Sequence, residues 1–96
     1  MLLTTTDDIP GRGPIELLGL VDGVSVIATG LGSQLSSASG AKAIGEARTA
    51  AIREMTDKAE KLGADAVVGV RYATSDYTNG MCEIIAYGTA ARTAKP

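Results

Sequence analysis

The fold is decided by the last third of the chain, "AEKLGADAVVGVRYATSDYTNGMCEIIAYGTAARTA", residues 59–94. This stretch reads as the end of a helix followed by two strands, residues 65–77 and 81–93, around the pair Asn79-Gly80. Asn-Gly favours a two-residue type I′ turn, because both central residues of that turn need positive φ. The stretch therefore predicts a β-hairpin that follows a helix.

This turn predicts a register in which Thr78 lies opposite Met81. One face of the hairpin then carries the larger apolar side chains and the other carries mostly small ones. The first face comprises Val68, Val70, Tyr72, Ile85, Tyr87 and Thr89, and the second comprises Val67, Gly69, Ala73, Ile84, Ala86, Gly88 and Ala90. The same register sets Asp76 opposite Glu83, a destabilising pair of like charges, so a longer loop with a bulge stays open as the alternative.

A long helix is predicted from Ala41 to Leu62, with Ser39 as its N-cap and Gly63 at the left-handed position after its end. Its apolar residues recur at spacings of three and four, which places them along one stripe. They are Ile44, Ala47, Ala51, Met55, Ala59 and Leu62. This stripe is expected to pack on the small-residue face of the hairpin.

The first third of the chain predicts further strands. Residues 2–6 form a short β-prone run, and residues 15–30 are rich in Leu and β-branched residues around Asp22-Gly23. Asp-Gly between apolar runs predicts a hairpin turn, whereas a bulge in one long bent strand is the alternative. Gly30–Gly40 is rich in Gly and Ser and predicts a loop. The chain is thus predicted to be one α+β domain, residues 1–96, of order β-β(-β)-α-β-β, with one long helix on an antiparallel or mixed sheet.

The composition suggests that the chain associates with copies of itself. Its 96 residues include no Phe, no Trp and three Tyr, so Ala and branched aliphatic residues must supply the core. Small side chains bury little apolar area each. A monomer would leave the Val/Ile/Tyr face of the hairpin exposed, and soluble monomers rarely expose large apolar patches. We expect a neighbouring subunit to cover this face; the alternative is that residues 15–29 fold over it.

The chain resembles the YbjQ-like family of small bacterial and archaeal proteins. The resemblance covers nearly the whole chain, and its most specific parts are "AEKLGADAVVGV", residues 59–70, and Gly88-Thr89-Ala90. It implies an α+β protomer that assembles into a ring, commonly a pentamer. The family carries a heavy-metal-binding label, but its function is uncharacterised. Longer members of the family carry an apolar and aromatic insertion before the helix, whereas the corresponding segment here, Gly30–Gly40, is short and polar. No role of that insertion is therefore carried over to this chain.

Charge and sequence pattern argue against several partners. The formal net charge is −2 and basic residues form no block, so neither nucleic acid nor an anionic membrane is a predicted partner. We expect no signal peptide and no membrane-spanning segment. A lone cysteine, Cys82, is compatible with a reducing compartment, and a cytoplasmic location is predicted.

The residues of this chain predict no catalytic or metal site. It has no His and one Cys, whereas soft metals take three or four Cys or His ligands held close together. Copies of Cys82 meeting on a ring axis are the one route to such a site. No nucleophile-base pairing is recognisable, so we predict a non-enzyme without a cofactor. The amides near Ser39 and Gly40, at the helix N-terminus, form a candidate anion or ligand site, although an ordinary N-cap after a flexible linker is the simpler explanation.

These observations predict a non-enzymatic, homo-oligomeric and pentameric binding or scaffold module that holds a small ligand between subunits. The alternative is a metal-binding protein with sites at subunit interfaces. The sequence does not identify the ligand.

Overall fold

The structure, a computed structural model, describes residues 1–13, 15–28, 37–78 and 81–94. Four strands and one helix are present in these residues. They are β1 (Leu2–Leu3), β2 (Ile15–Ala28), α1 (Ser37–Lys61), β3 (Ala66–Thr78) and β4 (Met81–Thr93). The predicted turn at Asn79-Gly80 and most of the predicted loop Gly30–Gly40 lie outside the described residues.

The strands form one mixed sheet of order β1-β3-β4-β2. β1 is parallel to β3, and the two longer pairings, β3 with β4 and β4 with β2, are antiparallel. The helix connects β2 to β3 and packs on one face of the sheet, mainly over β2 and β4. The predicted α+β class and the mixed sheet with one long helix are thereby confirmed.

The predicted hairpin at Asp22-Gly23 is wrong, because β2 continues through both residues. Asp22 lies opposite Tyr87 and Gly23 lies opposite Ala86 in an unbroken antiparallel register. Gly23 is buried beneath the helix, where a Cβ atom would overlap the carbonyl oxygen of Ala51. Gly23 is therefore needed for close packing of strand and helix and not for a turn.

The alternative of one long bent strand is the one observed, with its irregularity near Gly19. The register of β2 against β4 shifts by one residue between Leu17 and Gly19, so Leu18 is an additional residue on β2. Gly19 has a φ of 145°, which L-amino acids with a side chain rarely adopt. From Gly19 onward the pairing is regular to the end of the strand.

A bulge in the β3–β4 hairpin separates the two predicted like charges. Thr78 lies opposite Met81 as predicted, but the register then shifts between Asp76 and Thr78. Glu83 consequently lies opposite Ser75, whose Oγ donates a hydrogen bond of 3.0 Å to the Glu83 carboxylate. The bulge replaces a repulsion with a hydrogen bond.

A second bulge corrects the predicted faces of β3. The register shifts again between Val68 and Arg71, where Gly69 has a φ of 63°. The additional residue turns Val70 toward the helix, and Val70 belongs to the buried core cluster. Tyr72 follows on the same side, with its ring 5.7 Å from the guanidinium carbon of the helix residue Arg48. The assignment of Val70 and Tyr72 to the face away from the helix was therefore wrong, as was that of Ala73 to the opposite face, since Ala73 lies opposite Ile85.

The core lies between the helix stripe and the small-residue side of the sheet. Ala51, Met55 and Ala59, at successive intervals of four, are fully buried. They pack with Val21, Val67, Val70, Ala86 and Ala90. The helix starts at Ser37, earlier than predicted, and ends in a Schellman motif: the Gly63 amide donates to Glu60 and the Ala64 amide donates to Ala59. The predicted stripe is confirmed from Ala47 to Ala59, whereas its end residues Ile44 and Leu62 are exposed. The predicted role of Gly63 is confirmed.

Candidate functional site

The side of the sheet away from the helix exposes an unusual number of large apolar side chains. Val21 and Gly23 face the helix, so alternation along β2 directs Leu20, Val24 and Val26 to the opposite side. Leu20 is 79% exposed and Leu17 is 64% exposed, although both are large aliphatic residues in a strand. We call this surface the open face; its residues are Leu17, Leu20, Val24 and Val26 of β2 and Ile85 and Tyr87 of β4.

No segment of the described chain is placed to cover the open face. The possibility that residues 15–29 fold over it is contradicted, because β2 lies in the plane of the sheet, hydrogen-bonded to β4. The open face is continuous with the outer edge of β2, which is one of the two edge strands of the sheet. An apolar strand at an exposed edge is the arrangement through which chains associate.

The two charged side chains of β2 are paired within the chain. Asp22 accepts a hydrogen bond of 3.1 Å from the Lys58 ammonium, and Glu16 lies 2.9 Å from the Arg92 guanidinium. Hydrogen bonds to Asp22 and Glu54 hold the pKa of Lys58 above its usual value. All of these groups are about half exposed, so the pairs add little stability, but they neutralise the charges along this edge.

A small cleft lies on the other side of the sheet, between the helix and β3. It has a volume of about 200 Å³ and is lined by Leu3, Thr4, Thr5, Ile52, Val70 and Tyr72. The Arg48 guanidinium lies over the Tyr72 ring and adds a cation–π contact beside it. Pockets for whole ligands are commonly about 300 to 1,000 Å³, so this cleft suits one group of a ligand or one side chain.

Hydrogen bonds to β3 hold the N-terminal wall of this cleft. The Arg71 guanidinium donates to the Thr5 carbonyl at 2.9 Å, and the Val70 amide donates to the Thr4 carbonyl at 2.9 Å. Sequence reasoning missed the cleft because Val70 and Tyr72 reach it only through the bulge at Gly69. A glycine inside a β-prone run was the available signal.

Asp65 and Thr93 are hydrogen-bonded at the end of the hairpin away from its turn. The Thr93 hydroxyl and amide donate to the Asp65 carboxylate at 2.8 Å and 2.9 Å. These two bonds lower the pKa of Asp65 below its usual value, because they stabilise the charged form. They join the turn after the helix to the end of β4, which is a structural role.

Cys82 was the candidate metal ligand. It is half-buried on β4, and its thiol lies 3.7 Å from the Glu83 carbonyl. The described residues contain no group of three or more His, Cys, Asp or Glu that could hold a metal ion. The donors of one chain therefore do not fit a soft-metal site, which needs several thiolate or imidazole ligands together.

The other candidate site residues, Ser39 and Gly40, lie in the first turn of the helix and not before it, because the helix begins at Ser37. Their role in binding an anion stays a prediction. In the part of the chain that the structure describes, no helix combines the length and the apolar character needed to cross a bilayer.

Comparisons with known proteins agree with the resemblance. The YbjQ family model, described as "Putative heavy-metal-binding", matches residues 1–94. A UPF0145 protein of Thermotoga maritima is 42% identical over 99% of this chain and 99% of its own length. A UPF0145 protein of Saccharolobus islandicus is 41% identical over 99% of this chain and 92% of its own length.

A solved structure also shares the fold. The crystal structure of a protein of unknown function from Pediococcus pentosaceus, assigned to the DUF74 family, has a TM-score of 0.74 over 97% of both chains at 21% identity. That likeness concerns the fold alone. The sequence match along almost the whole chain is the decisive finding: this protein belongs to the YbjQ family, as its relatives in Thermotoga and Saccharolobus named UPF0145 also indicate.

Proposed function

We propose that this protein is a non-enzymatic, homo-oligomeric binding or scaffold module of the cytoplasm, with a second copy covering the open face. The observation that carries the proposal is the exposure of Leu20 and Leu17 beside the outer edge of β2, which pairs with no strand other than β4 among the described residues. Contiguous apolar surface of this kind marks interaction sites in soluble proteins. The family resemblance supports a ring, and five subunits is the expected number.

The dimensions of the chain support association. Its accessible surface is 5986 Å², whereas about 5,100 Å² is typical of a compact monomer of its mass, 9.7 kDa. A surface of this size leaves room for a standard interface, in which each partner buries roughly 800 Å². The radius of gyration, 15.7 Å, likewise exceeds the value of about 12.5 Å for a compact domain of this length.

Native mass spectrometry of untagged protein, purified without chelators, tests this proposal. We expect a single multimer, and a mass of one chain at micromolar concentration would overturn the proposal. Leu20→Lys should shift the protein toward smaller species while its circular dichroism stays unchanged. Ile44→Lys is the matched control: Ile44 is also exposed, at 45%, but lies on the helix, and this variant should retain the multimer.

The same spectra test whether a small ligand is held between subunits. The cleft beside Tyr72 is open and is large enough for only part of a ligand, so a neighbouring subunit would have to complete a binding site there. A molecule retained in the multimer and released in Tyr72→Ala supports this placement. Retention that is unchanged in Tyr72→Ala places the ligand elsewhere, and the helix N-terminus at Ser39 and Gly40 is then the next site to test.

Metal binding at subunit interfaces is the second candidate, and it rests on the family description. Because one chain offers a single thiol, such a site needs Cys82 from several copies. Dialysis against zinc, copper and cadmium followed by elemental analysis tests it. Stoichiometric metal that is lost in Cys82→Ser supports this candidate, whereas metal retained at equal levels in that variant excludes Cys82.

A further inference from the structure

We propose that the cleft beside Tyr72 binds a small monocarboxylate with an apolar body, and that the Arg48 guanidinium pairs with the carboxylate. This inference rests on the proposed binding role and names the chemical class of the ligand. Two features of the cleft support it: its lining is mainly apolar, and a positive charge lies at its rim. Together they select a ligand that has an apolar part and one negative charge.

The size and lining of the cleft suit a compact apolar group. Four of its six lining residues are apolar or aromatic, namely Leu3, Ile52, Val70 and Tyr72. Val70 is buried, whereas Tyr72 is 50% exposed, so the Tyr72 ring is accessible to a ligand. The volume of the cleft, about 200 Å³, exceeds the volume of about 150 Å³ at which an apolar cavity accepts benzene. One six-membered ring with its substituent fits this space, whereas a larger ligand does not.

Arg48 supplies the positive charge at the rim of the cleft. It is exposed and lies one helical turn before Ile52, on the same side of α1. Its guanidinium carbon lies 5.7 Å from the centre of the Tyr72 ring. The three ion pairs among the described residues belong to Lys58 and Arg92, so that part of the chain gives Arg48 no carboxylate partner. A guanidinium that lies over an aromatic ring keeps its N–H donors for a carboxylate.

The N-terminal wall of the cleft offers one hydroxyl donor to the ligand. The Thr6 hydroxyl donates to the Asp8 carbonyl at 2.6 Å, so the hydrogen bond of 2.7 Å between the Thr4 and Thr6 hydroxyls uses the Thr4 proton. No hydrogen bond within the described residues uses the Thr5 hydroxyl, which can therefore donate to a carboxylate. The Arg71 guanidinium holds the Thr5 carbonyl at 2.9 Å and adds a second positive charge beside this wall.

Other classes of small ligand use only part of this site. Inorganic phosphate can pair with Arg48, but it leaves the apolar walls in contact with water. A cation is repelled by Arg48 and Arg71, and none of the described residues that line the cleft is acidic. A neutral aromatic compound fills the space but leaves the Arg48 guanidinium without a counter-charge. A monocarboxylate with an apolar body uses both the walls and the charge.

Titration of the ¹⁵N-labelled full chain with benzoate at neutral pH, followed by the chemical shifts of its amides, tests the inference. We expect the Val70 and Tyr72 amides to shift with a Kd on the order of 1 mM, which is within the range for a ligand of about nine non-hydrogen atoms. Benzamide has the same size without the charge, and acetate has the charge without the ring. Each should bind at least about tenfold more weakly than benzoate.

Arg48→Gln should weaken benzoate binding by about tenfold or more, because it removes the counter-charge. Arg53→Gln is the matched control: it removes the same charge from an exposed position about 140° around the helix, and it should leave the Kd unchanged. Thr5→Val keeps the shape of the side chain and the backbone bond to Arg71, and it should weaken binding by about threefold. Circular dichroism of each variant should match that of the parent protein.

Three results would overturn the inference: benzamide or phosphate that binds as tightly as benzoate, a Kd for benzoate that is unchanged in Arg48→Gln, or amides near the cleft that do not shift at about 10 mM benzoate, ten times the expected Kd. If native mass spectrometry still shows a multimer, the proposed association stands in each of these cases. A mass of one chain overturns the association instead, and the same titration of that single chain then decides whether the cleft binds the carboxylate.

Discussion

Replacement of Gly23 by Ala tests the packing on which the whole fold depends. A Cβ atom at this position would overlap the Ala51 carbonyl oxygen and lie 2.8 Å from the Met55 amide nitrogen. Both are helix backbone atoms, so no side-chain rotation can relieve the contact. Ordinary contacts of carbon atoms are about 3.5 to 4.0 Å. The helix must therefore move away from β2 by on the order of 1 Å or more.

The cost of this displacement can be bounded. Overpacking of a well-packed core costs about 1 to 3 kcal/mol and sometimes more. Here the movement also loosens Ala51, Met55 and Ala59, which are fully buried. We expect a loss of about 2 to 4 kcal/mol in the free energy of unfolding, from a total of roughly 5 to 14 kcal/mol for this length. A fall in Tm of roughly 10 °C or more should follow.

Urea denaturation at fixed protein concentration, followed by circular dichroism, measures this loss. Gly45→Ala is the matched control, because Gly45 lies in the helix with no atom within 4 Å of an added Cβ. In a helix interior, Ala is more stable than Gly by about 0.5 to 1 kcal/mol. The same chemical change should thus have opposite signs at the two positions. A Gly23→Ala variant as stable as the parent protein would refute the close approach of helix and strand.

Three further predictions concern the hairpin and the helix surface. Because hydrogen bonds from Thr93 lower the pKa of Asp65 in the folded state, Asp65 contributes stability at pH values above its usual pKa of 3.8, and this contribution is lost as the pH falls toward the folded pKa. The urea midpoint of the parent protein should therefore fall more steeply with acid than that of Asp65→Asn. Parallel curves for the two proteins would contradict this. Gly69→Ala should lower the free energy of unfolding by about 1 to 2 kcal/mol, because φ at this position is 63°, and Gly69→Asn should lower it less, because Asn tolerates this conformation. Equal urea midpoints for the two variants would argue against backbone strain. Lys58→Ala removes an exposed pair with Asp22 and should leave both the urea midpoint and the oligomer mass nearly unchanged, unlike a change in the core.

Local patterns in the sequence were sufficient to predict the helix and the final hairpin. The stripe from Ala47 to Ala59 follows the helical period, and Gly63 ends the helix in the left-handed conformation. These features depend on residues a few positions apart, so the sequence contains the whole interaction. The pairing of Thr78 with Met81 belongs to the same class, because a tight hairpin joins neighbouring residues.

Distant contacts decided the features that sequence reasoning got wrong. Asp22-Gly23 has the composition of a turn, but Gly23 is in the strand because the helix backbone at Ala51 occupies the space of its side chain. The bulge at Gly69 moved Val70 and Tyr72 to the helix side and created the cleft. A bulge shifts every later side chain of its strand to the other face, and its position depends on the partner strand.

The sequence by itself thus determined the class of fold, the helix, the hairpin and the shortage of bulky core residues, because each follows from composition or from short-range periodicity. Only the tertiary structure decided that β2 is one bulged edge strand without a turn and that Leu17 and Leu20 project from the side of the sheet away from the helix. The physical reason is that the burial of a side chain on the sheet depends on which face of the sheet the helix packs against. Helix packing selected one face of the sheet through Gly23 and Ala86, and no segment among the described residues covers the other face.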